Sequence, residues 1–181
     1  MKSVLIIGLI VSVLLGCSTT SVVPRYSPTF ESGALLDNSE KISVGSVESL
    51  GKDDMYCGMT GLISLPRGEG VSEYIKNSLV TELRNANAYD INSKLKVNIK
   101  IKPVKFGIYD GKWNLAAQIY LPNGLSYPVT ASYPFQLHLT GEVTCQFAAI
   151  SFANVVKNLI YETVSNKNFQ MLLKTGLEQS R

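Results

Sequence analysis

Histidine is nearly absent from this chain: His138 is the only one in 181 residues. A histidine-based metal centre or a Ser-His-Asp triad therefore has almost nothing to be built from. Cysteine is sparse as well, and Cys57, Cys145 and a distant histidine fall short of a closed zinc site. Neither charge sign dominates: Lys and Arg number 17 against 14 Asp and Glu, and Lys2 alone supplies one unit of the +3 surplus. That surplus is too small to argue for nucleic acid. Five glycines fall between residues 51 and 70, yet neither G-x-x-x-x-G-K-[ST] nor G-x-G-x-x-G occurs there, so they read as loop punctuation. Asp53 and Asp54 are adjacent carboxylates whose side chains diverge, which does not make a glycosidase pair. No internal repeat is present. No nucleophile–base set stands out and no cofactor or metal is expected, so an enzyme is disfavoured.

Hydrophobic residues make up 45% of the chain and charged residues 17%, enough for one folded domain. Periodicity gives its elements. Residues 41–50, KISVGSVESL, read as a short strand and 51–70 as a loop. From Val71, apolar residues at 71, 75, 79, 83 and 86 predict an amphipathic helix of about four turns, with Ser72 as its cap and Glu82 among the polar filler. Leu95, Val97, Ile99 and Ile101 then alternate with Lys96, Asn98, Lys100 and Lys102. Beyond Pro103 the apolar set shifts by one position to Val104, Phe106 and Ile108, which predicts a bulge or break on an edge strand.

Asp110-Gly111 turns the chain into a strand over 112–121, and Pro122-Asn123-Gly124 into a third that alternates from Tyr127 to Leu139. Residues 144–164 return to helical spacing, and 168–173 predict a short terminal helix. The resulting expectation is an α+β fold of order β-α-β-β-β-α, a four-stranded antiparallel sheet with two amphipathic helices on one face.

The N-terminus carries the most specific signal. Lys2 precedes a 12-residue apolar stretch, 4–15, interrupted only by Gly8 and Ser12. As a helix it spans roughly 18 Å, well short of the ~30 Å hydrocarbon core, so a cleaved signal peptide is expected in place of a membrane span. Leu14-Leu15-Gly16-Cys17 resembles the lipobox of bacterial lipoproteins. The resemblance implies cleavage between Gly16 and Cys17 and acylation of the Cys17 thiol. With Ser18 in the second mature position, it also implies an outer-membrane address with the domain facing the periplasm; the inner membrane and the cell surface remain alternatives set by the host's sorting rule. Acyl chains contribute ~0.8 kcal/mol per buried methylene, so two or three of them hold a protein to a bilayer essentially permanently.

The expected organisation is a signal over 1–16, a flexible tether over 17–40 and a single domain over 41–181. The Ser-, Thr-, Pro- and Gly-rich tether would let the domain stand about 25–30 Å off the membrane. The other reading of this stretch, a segment packed across the domain, rests on Val22, Val23 and Phe30.

With Cys17 acylated, Cys57 and Cys145 are the two thiols left, and an oxidising periplasm favours pairing them. Two separately buried free thiols are the alternative. Lys96, Lys100 and Lys102, with Lys94 and Lys105, crowd one strand face. They read either as a surface for anionic lipid or glycan, or as solvated charges that discourage edge-to-edge pairing. Without interleaved aromatics on that face, nucleic acid is not an expected partner. His138 reads as an exposed sheet histidine. Tyr109, Tyr120, Tyr127, Tyr133 and Trp113 could line a glycan groove, although core packing accounts for most of them.

In layout the chain resembles small uncharacterised proteobacterial envelope lipoproteins and, more distantly, lipoproteins that assist lipopolysaccharide assembly and lipid transport. The function this implies is a non-enzymatic, membrane-tethered role supporting another envelope protein.

Overall fold

The computed structural model describes residues 19–37, 39–52, 55–57, 61–107 and 109–179. The strands are β1 (Thr19–Val22), β2 (Ser43–Ser49), β3 (Met55–Cys57), β4 (Gly61–Ser64), β5 (Lys96–Ile101), β6 (Lys105–Gly107), β7 (Lys112–Tyr120) and β8 (Ser126–Pro134). The helices are α1 (Phe30–Leu36), α2 (Val71–Asn85), α3 (Gly141–Ser165) and α4 (Lys167–Gln179), with one 3-10 turn at Pro66–Gly68.

Two sheets form. In the larger, β2 pairs with β5, β5 and β6 lie end to end along one side of β7, and β8 flanks the other side of β7. The meander follows from alternation. Trp113, Leu115, Ala117 and Ile119 face inward and pair with Tyr133, Ala131, Val129 and Tyr127 of β8. The break at Pro103 is a bulge: Ile101 pairs with Ala117 but Lys105 with Asn114, so the β5–β6 side carries one extra residue. Gly111 is needed at the β6–β7 turn, where φ is +57° and a Cβ would meet the Phe135 carbonyl oxygen at 2.7 Å.

The α+β class stands, but the sheet differs from expectation. It has five strands and is mixed, because β2 runs parallel to β5. The helix α2 lies between them in sequence and returns the chain to the same end of the sheet, which makes the pair parallel. A second, three-stranded sheet, β1-β4-β3, forms partly from the expected 51–70 loop. Its strands have three or four residues, too short to show a period. Four helices lie among the described residues: the two expected on the sheet, the terminal helix expected at 168–173, which runs longer as α4, and α1, which was not expected. The third meander strand stops at Pro134, leaving Leu137 and Leu139 exposed in the approach to α3. The helix α2 starts with Gly70 at its N-cap, so Ser72 does not cap it.

The flexible tether is also corrected for residues 19–37. They form β1 and α1, with Val23, Ser32 and Leu36 buried, while Val22 and Phe30 remain exposed. What fixes them is a carboxylate. Glu82, expected among the polar filler of α2, is completely buried. It accepts hydrogen bonds from the Tyr26 hydroxyl at 2.7 Å, the Thr29 backbone N–H at 3.0 Å and the Thr29 hydroxyl at 3.1 Å. Thr29 is the N-cap of α1, so Glu82 welds the entry of that helix to α2. Burial, and then the Glu82 carboxylate, push the Tyr26 hydroxyl far above the ordinary tyrosine range, so it remains a proton donor.

The helix α3 is the hub. Its 25 residues are apolar enough for a membrane span by length and composition, but 13 of its side chains are buried, including the consecutive Ser151, Phe152 and Ala153. It packs on β7 and β8 along one side and against β1, β4 and α1 elsewhere. Trp113 donates its indole N–H to the Ala148 carbonyl at 2.8 Å, and its ring meets Phe152 edge-on at 5.0 Å. Cys57 of β3 and Cys145 of α3 form a disulfide with Cα atoms 5.7 Å apart, tying the small sheet to the hub helix.

Two expectations follow. Bridging residues 88 positions apart restricts the unfolded chain, so Cys57→Ser with Cys145→Ser lowers unfolding stability by about 4 kcal/mol in urea titrations; a loss below about 1 kcal/mol contradicts this. Glu82→Ala orphans Tyr26 and Thr29 donors and costs about 2–4 kcal/mol in the same assay, whereas an unchanged midpoint shows that the carboxylate does not hold α1.

Candidate functional site

Gly16, Cys17, Asp53 and Asp54 lie outside the described residues. What the structure does locate is the end of the fold at which β1 begins. Thr19, two positions after Cys17, pairs with Gly61, and Gly61 pairs on its other side with Cys57 of the disulfide. Thr20 and Glu142 line one cleft, so the start of β1 lies beside the first turn of α3. The same end carries the β6–β7 turn and the segment before α3, held together by the Phe135 N–H donated to the Gly111 carbonyl at 2.7 Å. Leu139 and Tyr109 are almost wholly exposed there, and Leu137 is half exposed.

Lys96, Lys100 and Lys102 share the solvent face of the large sheet, as their alternation implies, and all three are exposed. However, β5 lies between β2 and β7, so it is not an edge strand. Protection against edge pairing therefore does not explain its lysines, although β6, beyond the bulge, is paired on one side alone among the described residues. Between the first two lysines, Asn98 accepts a hydrogen bond from the Ser46 N–H at 2.8 Å across the β2 bulge. Lys100 stands 5.7 Å from the Tyr120 ring centroid and opposite Glu48 in register, which tempers the local charge. Lys102 and Lys105 flank a shallow groove of about 670 Å³ floored by β7 and β8.

The remaining sequence candidates separate. Trp113 and Tyr127 are core residues, and the Tyr127 hydroxyl donates to the Thr163 carbonyl at 2.9 Å, so no glycan groove gathers the aromatics. His138 is exposed in the segment leading to α3, beyond the end of β8.

One feature was invisible in the sequence. Arg25, Arg67 and Arg84, every arginine among the described residues, line a single groove of about 330 Å³. Arg25 follows β1, Arg67 sits in the 3-10 turn and Arg84 in the last turn of α2. Arg67 has φ +60° and ψ +13°, a left-handed backbone that costs a non-glycine residue roughly 1–2 kcal/mol. The Arg84 guanidinium lies 5.0 Å from the Tyr89 ring centroid. Arg25 comes from a segment tens of residues before α2, while Arg67 precedes that helix by only four positions, so no local motif announces the site.

No protein-family model matches the chain, and no curated protein sequence matches it. Among solved structures, it is similar to protein XCC0632 from Xanthomonas campestris, described as DUF330. The TM-score is 0.52 at 15% identity, over 90% of this chain and 99% of that one. A Caulobacter crescentus CB15 protein described as a "putative lipoprotein" aligns with a TM-score of 0.37 at 13% identity, over 83% of this chain and 96% of that one. The first likeness shows a shared fold; the second is too weak to carry an argument.

Proposed function

We propose that this chain is a lipid-anchored lipoprotein of the cell envelope, on the periplasmic face of the outer membrane, whose domain has a non-enzymatic binding or accessory role toward another envelope protein. The observation that carries this reading is the position of Cys17, which ends a stretch resembling a lipobox and stands two residues before β1. The Cys57–Cys145 bridge supports it, because such bonds persist in oxidising compartments.

This position also sets the geometry. Two extended residues reach at most about 7 Å, so acyl chains on Cys17 hold the fold against the bilayer and not on a long leash. The end bearing Leu137, Leu139 and Tyr109 then rests on the headgroups, where apolar and aromatic side chains are favoured. The large sheet's lysine face supports a second reading, a module for anionic lipid or glycan, because Lys96, Lys100 and Lys102 are exposed side by side.

Fractionation tests the anchor. The wild-type chain is expected to sediment with the outer membrane and Cys17→Ser to lose that attachment. Equal membrane recovery of both forms contradicts the reading. Charge reversal of the three lysines tests the second reading, which fails if binding to anionic vesicles and glycan is unchanged.

A further inference from the structure

We propose that the groove lined by Arg25, Arg67 and Arg84 is a binding site for a phosphate dianion, a site independent of the membrane anchor. Four of the chain's 17 basic residues are arginines, and the three within the described part meet at one place although 42 and 17 positions separate them along the chain. Arginine offers a planar fork of donors that matches phosphate oxygens, which lysine does not. None of the three guanidiniums has an ion-pair partner among the described residues; Arg84 has only the Tyr89 ring beneath it. The other lining groups are largely committed elsewhere. Asn77 donates to Glu69 at 2.9 Å, and Thr81 donates to the Asn77 carbonyl at 2.7 Å. Glu69 is the one carboxylate in the lining, so three cations face one anion and a doubly charged ligand balances the site.

The backbone points the same way. The αL conformation of Arg67 is one that glycine would adopt without cost, and Gly68 beside it is also at positive φ, +71°. Arg67 lines the groove from that position at the expense of local ease, the pattern of strain found at working sites. A volume of about 330 Å³ suits a headgroup or a small free phosphate, not a macromolecule.

A phosphate monoester can arrive free or on a lipid, and the test separates these sources. Full-length protein in a neutral detergent is titrated at pH 8 by calorimetry with inorganic phosphate, with dihexanoyl phosphatidic acid and with dihexanoyl phosphatidylcholine. Saturable binding is expected for at least one of the first two and none for the zwitterionic lipid. Binding of inorganic phosphate identifies a free anion as sufficient, and binding of phosphatidic acid alone identifies a headgroup. Arg84→Gln is expected to weaken binding roughly tenfold or more, as is usual when a charged hydrogen bond is lost.

Arg67→Gly is the decisive variant, because it relaxes the backbone: its melting temperature should rise while its affinity falls by a similar factor of roughly ten. Lys100→Gln on the open sheet face should change nothing. The proposal is overturned if neither phosphate probe binds saturably, if binding survives Arg67→Gly combined with Arg84→Gln, or if Lys100→Gln abolishes it.

Discussion

Everything in this fold depends on covering α3. A 25-residue helix with buried side chains at three successive positions cannot be satisfied by one sheet face, because successive residues point about 100° apart. The large sheet takes one side of it through Trp113, Leu115 and the β8 residues. The rest of its apolar surface has to be met by β1, β4 and α1, elements too short to stand by themselves. Their stability is borrowed from α3, from the Cys57–Cys145 bridge and from the buried Glu82 that fastens α1.

That dependence has a functional consequence. Because β1 is part of the cover over α3, the chain is already folded two residues after Cys17. An anchor at Cys17, as proposed, would act on an already folded body. The disulfide lies two strands away from β1, so a pull on Thr19 would pass through Gly61 and Cys57 into the hub helix. On the proposed reading, this build presents a fixed end to the membrane and a fixed set of surfaces to whatever it meets. The arginine groove lies beyond the other end of β1, and the lysine face covers the outer side of the large sheet.

The sequence made some of this legible. Apolar spacings of four, four, four and three revealed α2, the alternation of 95–101 revealed β5, and the one-position shift at Pro103 located the bulge. Cys57 and Cys145 pair as the count of thiols suggested once Cys17 was set aside. Other parts failed for definable reasons. Residues 19–37 are rich in Ser, Thr and Pro, and their order comes from α3 and Glu82, which are distant in sequence. Glu82 itself read as solvent-facing because a carboxylate in a helix usually is; only the donors of Tyr26 and Thr29 make its burial tolerable. The parallel β2–β5 pair was available from the strand-helix-strand order, but β3 and β4 were hidden in a glycine-rich stretch that read as a loop. Arg25, Arg67 and Arg84 form no motif along the chain and converge only when β1, the 3-10 turn and α2 are brought together.

On the proposed reading, a lipid-anchored Cys17 holds the end of the fold carrying Leu139 against the bilayer. Trp fluorescence tests it most directly, with Leu139→Trp and Leu125→Trp placed in full-length protein reconstituted into vesicles of brominated lipid. Leu125 follows the β7–β8 turn at the far end of the hairpin, and both variants share the buried Trp113 as a common background. Strong quenching at position 139 with little at 125 is the predicted result. Equal quenching at the two positions, or none at 139, contradicts a domain seated on the membrane.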